Sequence, residues 1–143
     1  MTDTINTITV KDLNGRLVDL LKLFPKKIQL LIIYNNDCLG CTGRALPLAY
    51  EFQQQFPSIQ VAGIHTNFTN REGTPENIKS VFTSGELPFP IFIDEHHTVY
   101  DQFKAEGTPQ WLLITEEGVL FRSIFGSQNN AKNRLYYALE SIT

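Results

Sequence analysis

The stretch that decides the fold covers residues 30–41 and reads LLIIYNNDCLGC. Its first five residues form a short, unbroken apolar run, which is the pattern of a central strand buried on both faces. Beyond the two cysteines, apolar residues recur at helical spacing and share one predicted helix face: Ala45, Ala49, Phe52 and Phe56. The sequence therefore predicts a buried strand that leads into an amphipathic helix, with Cys38 and Cys41 at the junction.

A C-x-x-C pair at the start of a helix has a direct chemical consequence. The first sulfur lies near unpaired backbone amides and the positive end of the helix dipole, and both favour the thiolate over the thiol. We therefore predict that Cys38 is the nucleophile. One turn further along, Cys41 can attack a mixed disulfide on Cys38 and close an intramolecular disulfide, so we predict that Cys41 is the resolving thiol.

Two other uses of the cysteine pair stay open at this point. The C-x-x-C spacing also suits half of a zinc site, and free cysteine is often an ordinary core residue. A structural zinc needs about four ligands, and the remaining candidates do not supply a second pair with that spacing: His65, His96 and His97. We expect neither a bound metal nor a cofactor.

The rest of the chain alternates strands and helices. Asn14-Gly15 suits a tight turn because both residues tolerate a positive φ, and it predicts a β-hairpin near the N-terminus. Thr74-Pro75 offers an N-cap hydroxyl with proline at the first helical position. Strands are predicted at 8–10, 17–20, 30–34, 59–64, 88–93, 111–114 and 119–125, and helices at 45–56, 78–82, 99–103 and 131–142. This order predicts an α/β fold with a central mixed sheet, helices on both faces and an antiparallel hairpin at one edge.

Composition narrows the class of protein. The 143 residues are the size of one domain, so a single domain over 1–143 is expected. No apolar run approaches the ~20 residues of a spanning helix, and a net charge of −3 is not that of a nucleic-acid binder. The N-terminus has no secretory signal, so a cytoplasmic protein without membrane or nucleic-acid partners is expected.

Pro109 is the second feature that bears on the cysteines. It follows Gly107-Thr108 and precedes the strand predicted at 111–114. Only about 5–6% of X-Pro bonds in folded proteins are cis, so the residue alone predicts an ordinary loop proline. Its combination with the C-x-x-C pair makes a cis bond the expectation.

These features together resemble the thioredoxin-like superfamily, and within it the TlpA-like and AhpC/TSA redoxin group. The resemblance covers most of the chain and implies a thioredoxin-like fold in which Cys38 attacks and Cys41 resolves. It also implies a cis Thr108–Pro109 peptide that faces the cysteines. The implied substrate groove is lined by Tyr34, Leu39, Thr108, Pro109 and Gln110. The implied partners are a protein disulfide or dithiol and an upstream thiol reductant or oxidant.

The chain also departs from that group. Asp37 stands where many relatives have Trp before the first cysteine, and Gly40 stands where they have Pro before the second. Ile32 stands at the position of the buried acid of thioredoxins. Pro47 falls one residue later than the usual helix proline. His65, at a strand end, is more typical of a satisfied neighbour than of a catalyst, and Trp111 is expected to be structural.

Three functions therefore stand beside one another. Dithiol-disulfide exchange by a thiol-disulfide oxidoreductase is the first. An AhpC/TSA-type thiol peroxidase with antioxidant activity is an alternative, although Leu31 and Asn35 stand where peroxidases place Pro and Thr or Ser. A redox-inactive thioredoxin-fold binding domain is the other alternative, and the retained cysteine pair argues against it.

Overall fold

The computed structural model of the chain describes residues 4–68 and 73–143. A mixed sheet of seven strands forms its centre, in the order β2-β1-β5-β4-β3-β6-β7. The strands are β1 (Thr9–Lys11), β2 (Leu17–Asp19), β3 (Gln29–Tyr34), β4 (Gln60–Thr66), β5 (Ile91–Asp94), β6 (Gln110–Ile114) and β7 (Leu120–Phe125). The helices are α1 (Leu20–Leu23), α2 (Leu46–Gln55), α3 (Pro75–Ser80), α4 (Thr98–Gln102) and α5 (Asn129–Ile142).

The middle of the sheet is parallel and its margins are antiparallel. β3 and β5 run parallel to β4, whereas β6 is antiparallel to β3, β7 to β6, β1 to β5 and β2 to β1. The predicted mixed sheet, N-terminal hairpin and edge hairpin are therefore confirmed. All six residues of β3 are buried, as expected for a strand covered on both faces.

Two apolar clusters lie on opposite faces of the sheet. The first joins β3, β4 and β6 to α2, α3 and α5, and the second joins the same strands to α1 and α4. Trp111 is fully buried in the first cluster, packs edge-to-face on Phe52 and donates from Nε1 to the Gly126 carbonyl at 2.8 Å. Its predicted structural role is confirmed, because its large apolar area and its one polar atom are both satisfied in the core.

Two local predictions differ from the structure. The strand predicted at 17–20 ends at Asp19, because the Asp19 carboxylate accepts the Leu21 N–H at 3.1 Å and begins α1. The helix predicted from the Thr74-Pro75 cap through 78–82 does begin at Pro75, where Thr74 caps it through the Asn77 N–H at 3.1 Å, but it ends at Ser80 rather than at 82.

The single domain over 1–143 stays a prediction. Within residues 4–68 and 73–143, no helix has both the length and the apolar character needed to cross a membrane.

Candidate active site

The two cysteines lie at the junction between β3 and the following helix, and they form a disulfide. The helical run begins at Leu39, directly after Cys38. The Cys38 carbonyl accepts the N–H groups of Cys41 and Thr42 at 3.0 and 3.2 Å, and Cys38 Sγ accepts the Cys41 N–H at 3.2 Å. The Cys38 side chain thus caps the helix, and its sulfur takes up one of the amides that a helix N-terminus leaves unpaired.

The two sulfur-bearing residues differ in exposure. Cys38 is half-buried, whereas Cys41 is completely buried in the first apolar cluster. An incoming reactant can therefore meet Cys38, while Cys41 is reached through Cys38. This asymmetry suits an attacking and a resolving thiol, since access decides which sulfur exchanges with a partner.

A second segment lies against Cys38 from a distant part of the chain. The Thr108–Pro109 peptide is cis, as the resemblance implied. The Thr108 carbonyl oxygen lies 3.4 Å from Cys38 Sγ, and the Pro109 carbonyl accepts the Gly126 N–H at 2.9 Å. The loop before β6 is thus fixed with a carbonyl facing the sulfur, close enough to accept a hydrogen bond from a Cys38 thiol.

The predicted groove residues separate into exposed and buried ones. Leu39 is 88% exposed beside Cys38, and Thr108 is half-buried next to it. Pro109 is buried, and its carbonyl is taken up by the Gly126 N–H. Tyr34 and Gln110 are buried at 0% and 4% exposure, so the structure corrects their assignment as groove-lining side chains.

Both of these residues have structural surroundings instead. Gln110 donates to Ser123 Oγ at 2.9 Å and accepts the Glu106 N–H at 3.2 Å, which braces the loop that carries Thr108. Tyr34 packs edge-to-face on His65, and burial raises the pKa of its phenol well above the usual range. The period-2 pattern of a strand predicts faces but not depth, and here the end of β3 is covered.

Two residues near the cysteines and the Thr108 loop could not be identified from the sequence. Phe125 is 46% exposed, and its ring packs closely on Gly107. A Cβ added at that glycine would lie 2.9 Å from the ring. Ser127 lies over Gly40, because a Cβ on Gly40 would meet Ser127 Oγ at 2.8 Å. Neither carries a local motif, since both reach the site through pairing of β7 with β6.

The late position of Pro47 has a structural cause. Residues Cys41–Ala45 form a π-helical turn, in which the Leu46 N–H donates to the Cys41 carbonyl. Such a turn carries one extra residue and moves every following position by one. Pro47 then falls at the second residue of α2, directly after the π-helical turn.

The structure also shows the surroundings of Ile32 and Asp37, two of the positions that differ from the pattern of the resembled group. Ile32 is fully buried and pairs with Trp111 across β3 and β6, so this position contributes packing. Asp37 is exposed, and its N–H donates to Asn35 Oδ1 at 2.8 Å. In the two described segments, no group of three or more His, Cys, Asp or Glu side chains is arranged to hold a metal ion.

Residues 1–123 match the family model described as the AhpC/TSA family. The chain belongs to the AhpC/TSA family. Over 100 residues this AhpC/TSA-family chain is 27% identical to the thiol-disulfide oxidoreductase YkuV of Bacillus subtilis (strain 168), with 69% of this chain and 67% of that protein covered.

Solved structures agree with the AhpC/TSA-family assignment at the level of fold. A Chlorobium tepidum protein designated a thiol:disulfide interchange protein DsbE superposes with a TM-score of 0.81 at 15% identity, over 99% of this chain and 96% of its own. A secreted disulfide oxidoreductase of Mycobacterium tuberculosis, homologous to E. coli DsbE, gives 0.69 at 17% identity, over 94% and 96%. The AhpC/TSA-family chain therefore has the thioredoxin-like fold that the resemblance implied.

Proposed function

We propose that this protein is a thiol-disulfide oxidoreductase that exchanges the Cys38–Cys41 dithiol and disulfide with a protein partner. The observation that carries the proposal is the asymmetry of the pair: a half-buried Cys38 that caps a helix is joined by a disulfide to a fully buried Cys41. The thiol-disulfide oxidoreductase YkuV is a sequence relative with 27% identity, and its activity supports the same reaction class.

The reaction runs in two exchanges when the protein starts in its reduced form. The Cys38 thiolate attacks one sulfur of a partner disulfide, a Cys38–partner disulfide forms, and the other partner sulfur leaves as a thiolate. Cys41 then attacks Cys38 Sγ, the mixed disulfide breaks, and the partner leaves with both thiols reduced. Two electrons have passed to the partner, and the protein holds the Cys38–Cys41 disulfide that the structure contains.

The chain's own groups favour these steps at named atoms. The Cys41 N–H lies 3.2 Å from Cys38 Sγ and stabilises the negative charge on that sulfur while it is the attacking thiolate. The Thr108 carbonyl orients a Cys38 thiol by accepting its hydrogen. Exposed Leu39, next to Cys38 in sequence, and exposed Phe125, whose ring lies against Gly107, offer apolar contact to a docked partner chain.

Trapping the mixed disulfide tests the roles of the two cysteines. Cys41→Ser should accumulate a covalent adduct with a disulfide-containing protein such as insulin, because nothing then resolves the Cys38–partner bond. Cys38→Ser should form none, since Cys41 is buried. Non-reducing electrophoresis and intact mass measure the adduct. Adduct formation by Cys38→Ser at the rate of Cys41→Ser would contradict the assignment.

Thiol peroxidase activity is a weaker second candidate that the AhpC/TSA family match raises. A peroxidatic site would have Pro and Thr or Ser at the positions that Leu31 and Asn35 occupy here. Leu31 is fully buried in β3, and the Asn35 side chain is engaged with the Asp37 N–H and the Thr66 carbonyl. Hydrogen peroxide consumption coupled to a thiol reductant should therefore be slow compared with disulfide exchange.

The proposal extends to the class of partner and to the location of the protein. A protein dithiol or disulfide is the substrate class that the family supports, with an upstream thiol reductant or oxidant completing the cycle. The cytoplasmic location stays a prediction, and the secreted Mycobacterium tuberculosis protein of the same fold makes export the alternative. Cell fractionation of the native protein distinguishes the two.

A further inference from the structure

His65 is a completely buried histidine at the carboxyl end of β4, and it pairs with Tyr34 of β3. Its two ring nitrogens are both engaged. Nε2 accepts the backbone N–H of Asn36 at 3.1 Å, and Nδ1 lies 2.8 Å from Asn67 Oδ1. These contacts connect the end of β4 to the connection that delivers Cys38 to the helix.

The hydrogen-bond pattern assigns the proton on the ring. An Nε2 atom that accepts from an amide carries a lone pair and no hydrogen, so the hydrogen lies on Nδ1 and is donated to Asn67 Oδ1. Asn67 is itself fixed, because its side chain packs so closely on Gly73 that a Cβ there would lie 2.1 Å from Oδ1. The ring is therefore held in one neutral tautomer that points its acceptor at Asn36.

Other hydrogen bonds also hold the connection between β3 and Cys38. Asn36 Nδ2 donates to the Asn77 carbonyl at 2.8 Å, and Asn35 Nδ2 donates to the Thr66 carbonyl at 2.9 Å. The Asn35 carbonyl in turn accepts the Cys38 N–H at 3.0 Å. A shift of the Asn36 backbone therefore moves Cys38 relative to the helix amide that its sulfur faces.

We propose that His65 is a positioning residue for Cys38. Through the Asn36 amide it fixes the point at which the chain enters the helix, and so keeps the Cys41 N–H directed at Cys38 Sγ. The inference rests on the proposed function, because the placement of Cys38 matters to the reaction only if Cys38 is the attacking sulfur. A merely structural histidine would contribute packing and stability without changing the chemistry of the cysteine pair.

Three single substitutions separate positioning from packing. His65→Leu keeps the volume and removes the acceptor, whereas His65→Gln keeps an acceptor near the position of Nε2. His96→Leu is the matched control, because the His96 side chain is 75% exposed. The readouts are the alkylation rate of Cys38 in the reduced protein and the thiol-disulfide equilibrium constant against glutathione, with thermal unfolding measured alongside.

Loss of the acceptor should lower the reactivity of Cys38 and favour the disulfide over the dithiol. His65→Leu should slow alkylation and shift the equilibrium constant by about fivefold, the factor for one neutral hydrogen bond. His65→Gln should restore most of both values, and His96→Leu should match the wild type. Should His65→Leu fail to fold, Asn67→Ala keeps the ring, releases its tautomer and should shift both readouts in the same direction.

The outcomes separate the inference from the proposed function. If folded His65→Leu or Asn67→Ala matches the wild type in both readouts, the positioning role is wrong and the oxidoreductase assignment stands. Equal shifts in His65→Leu and His65→Gln would also overturn it, because packing alone would then explain the change. If the wild type shows no reversible exchange with glutathione, the proposed function fails first and the inference fails with it.

Discussion

Replacing Tyr34 with phenylalanine removes one hydroxyl from the interior and leaves the ring in place. The Tyr34 side chain is fully buried, and among residues 4–68 and 73–143 its hydroxyl has no hydrogen-bond partner. A buried polar group without a partner costs about 1–3 kcal/mol. The edge-to-face contact with His65 does not need the hydroxyl. Tyr34→Phe should therefore raise the free energy of unfolding by about 1–2 kcal/mol, or Tm by about 3–7 °C for a chain of this size.

Alkaline pH should enlarge this difference. Burial raises the pKa of Tyr34 in the folded protein, so the phenol ionises more readily in the unfolded chain, near pH 10. The free energy of unfolding of the wild type is therefore unaffected by this ionisation below about pH 10, and it falls as the pH rises from there toward the folded-state pKa. The phenylalanine variant has no such term, so its advantage should grow by about 1.4 kcal/mol per pH unit above about pH 10.

Urea denaturation of the wild type, Tyr34→Phe and the control Tyr50→Phe measures these differences at neutral and alkaline pH. Tyr50 is 45% exposed, so its hydroxyl is hydrated and its removal should change little. Disulfide exchange should be unchanged in Tyr34→Phe, because the side chain lies beneath the groove. A loss of stability on removing the Tyr34 hydroxyl would refute the reasoning, since it would require a partner for that hydroxyl.

Two further predictions concern the helix of the cysteines, and a third concerns Asp94 at the end of β5. Gly43→Ala should raise the free energy of unfolding by about 0.5–1 kcal/mol, because Gly43 is exposed in the π-helical turn and a Cβ there meets nothing within 4 Å; no gain in urea denaturation would argue against the turn. Gly40→Ala should stabilise the protein less than Gly43→Ala, because a Cβ on Gly40 would lie 2.8 Å from Ser127 Oγ, and the Ser127→Ala background should remove that difference in a double-mutant cycle. Asp94→Asn should cost about 1–3 kcal/mol, because Asp94 Oδ1 accepts the Val99 N–H while Oδ2 accepts the Tyr100 N–H and the Thr66 hydroxyl, and an amide has one acceptor oxygen; thermal unfolding that matches the wild type would contradict this.

The parts of the fold that local patterns encode were predictable. The apolar run of β3, the Asn14-Gly15 turn and the Thr74 cap each follow from residues close in sequence, and each lies where it was predicted. The π-helical turn at Cys41–Ala45 was not predictable, because the apolar residues that predicted the helix begin at Ala45, where the turn ends. The only sequence sign of the turn that we noted is Pro47, which falls one residue later than the usual helix proline of the resembled group.

The candidate site was predictable where a motif names it and not where tertiary contacts build it. The C-x-x-C spacing identifies Cys38 and Cys41 as site residues. Thr108-Pro109 is identified by its combination with that cysteine pair. The approach of Thr108 to Cys38 spans 70 residues of sequence, and Phe125 and Ser127 come to the site through strand pairing. Burial corrected Tyr34 and Gln110 for the same reason, since depth at a strand end depends on what the rest of the chain lays over it.

A redox titration of the intact protein tests the central claim most directly. The protein is equilibrated in dithiol and disulfide buffers over a range of potentials, free thiols are trapped with an alkylating agent, and the mass is read at each potential. We predict one reversible two-electron transition between a doubly alkylated form and an unalkylated form, with both sites at Cys38 and Cys41. Thiols that never pair at any potential, or a transition that requires a second copy of the chain, would contradict the account.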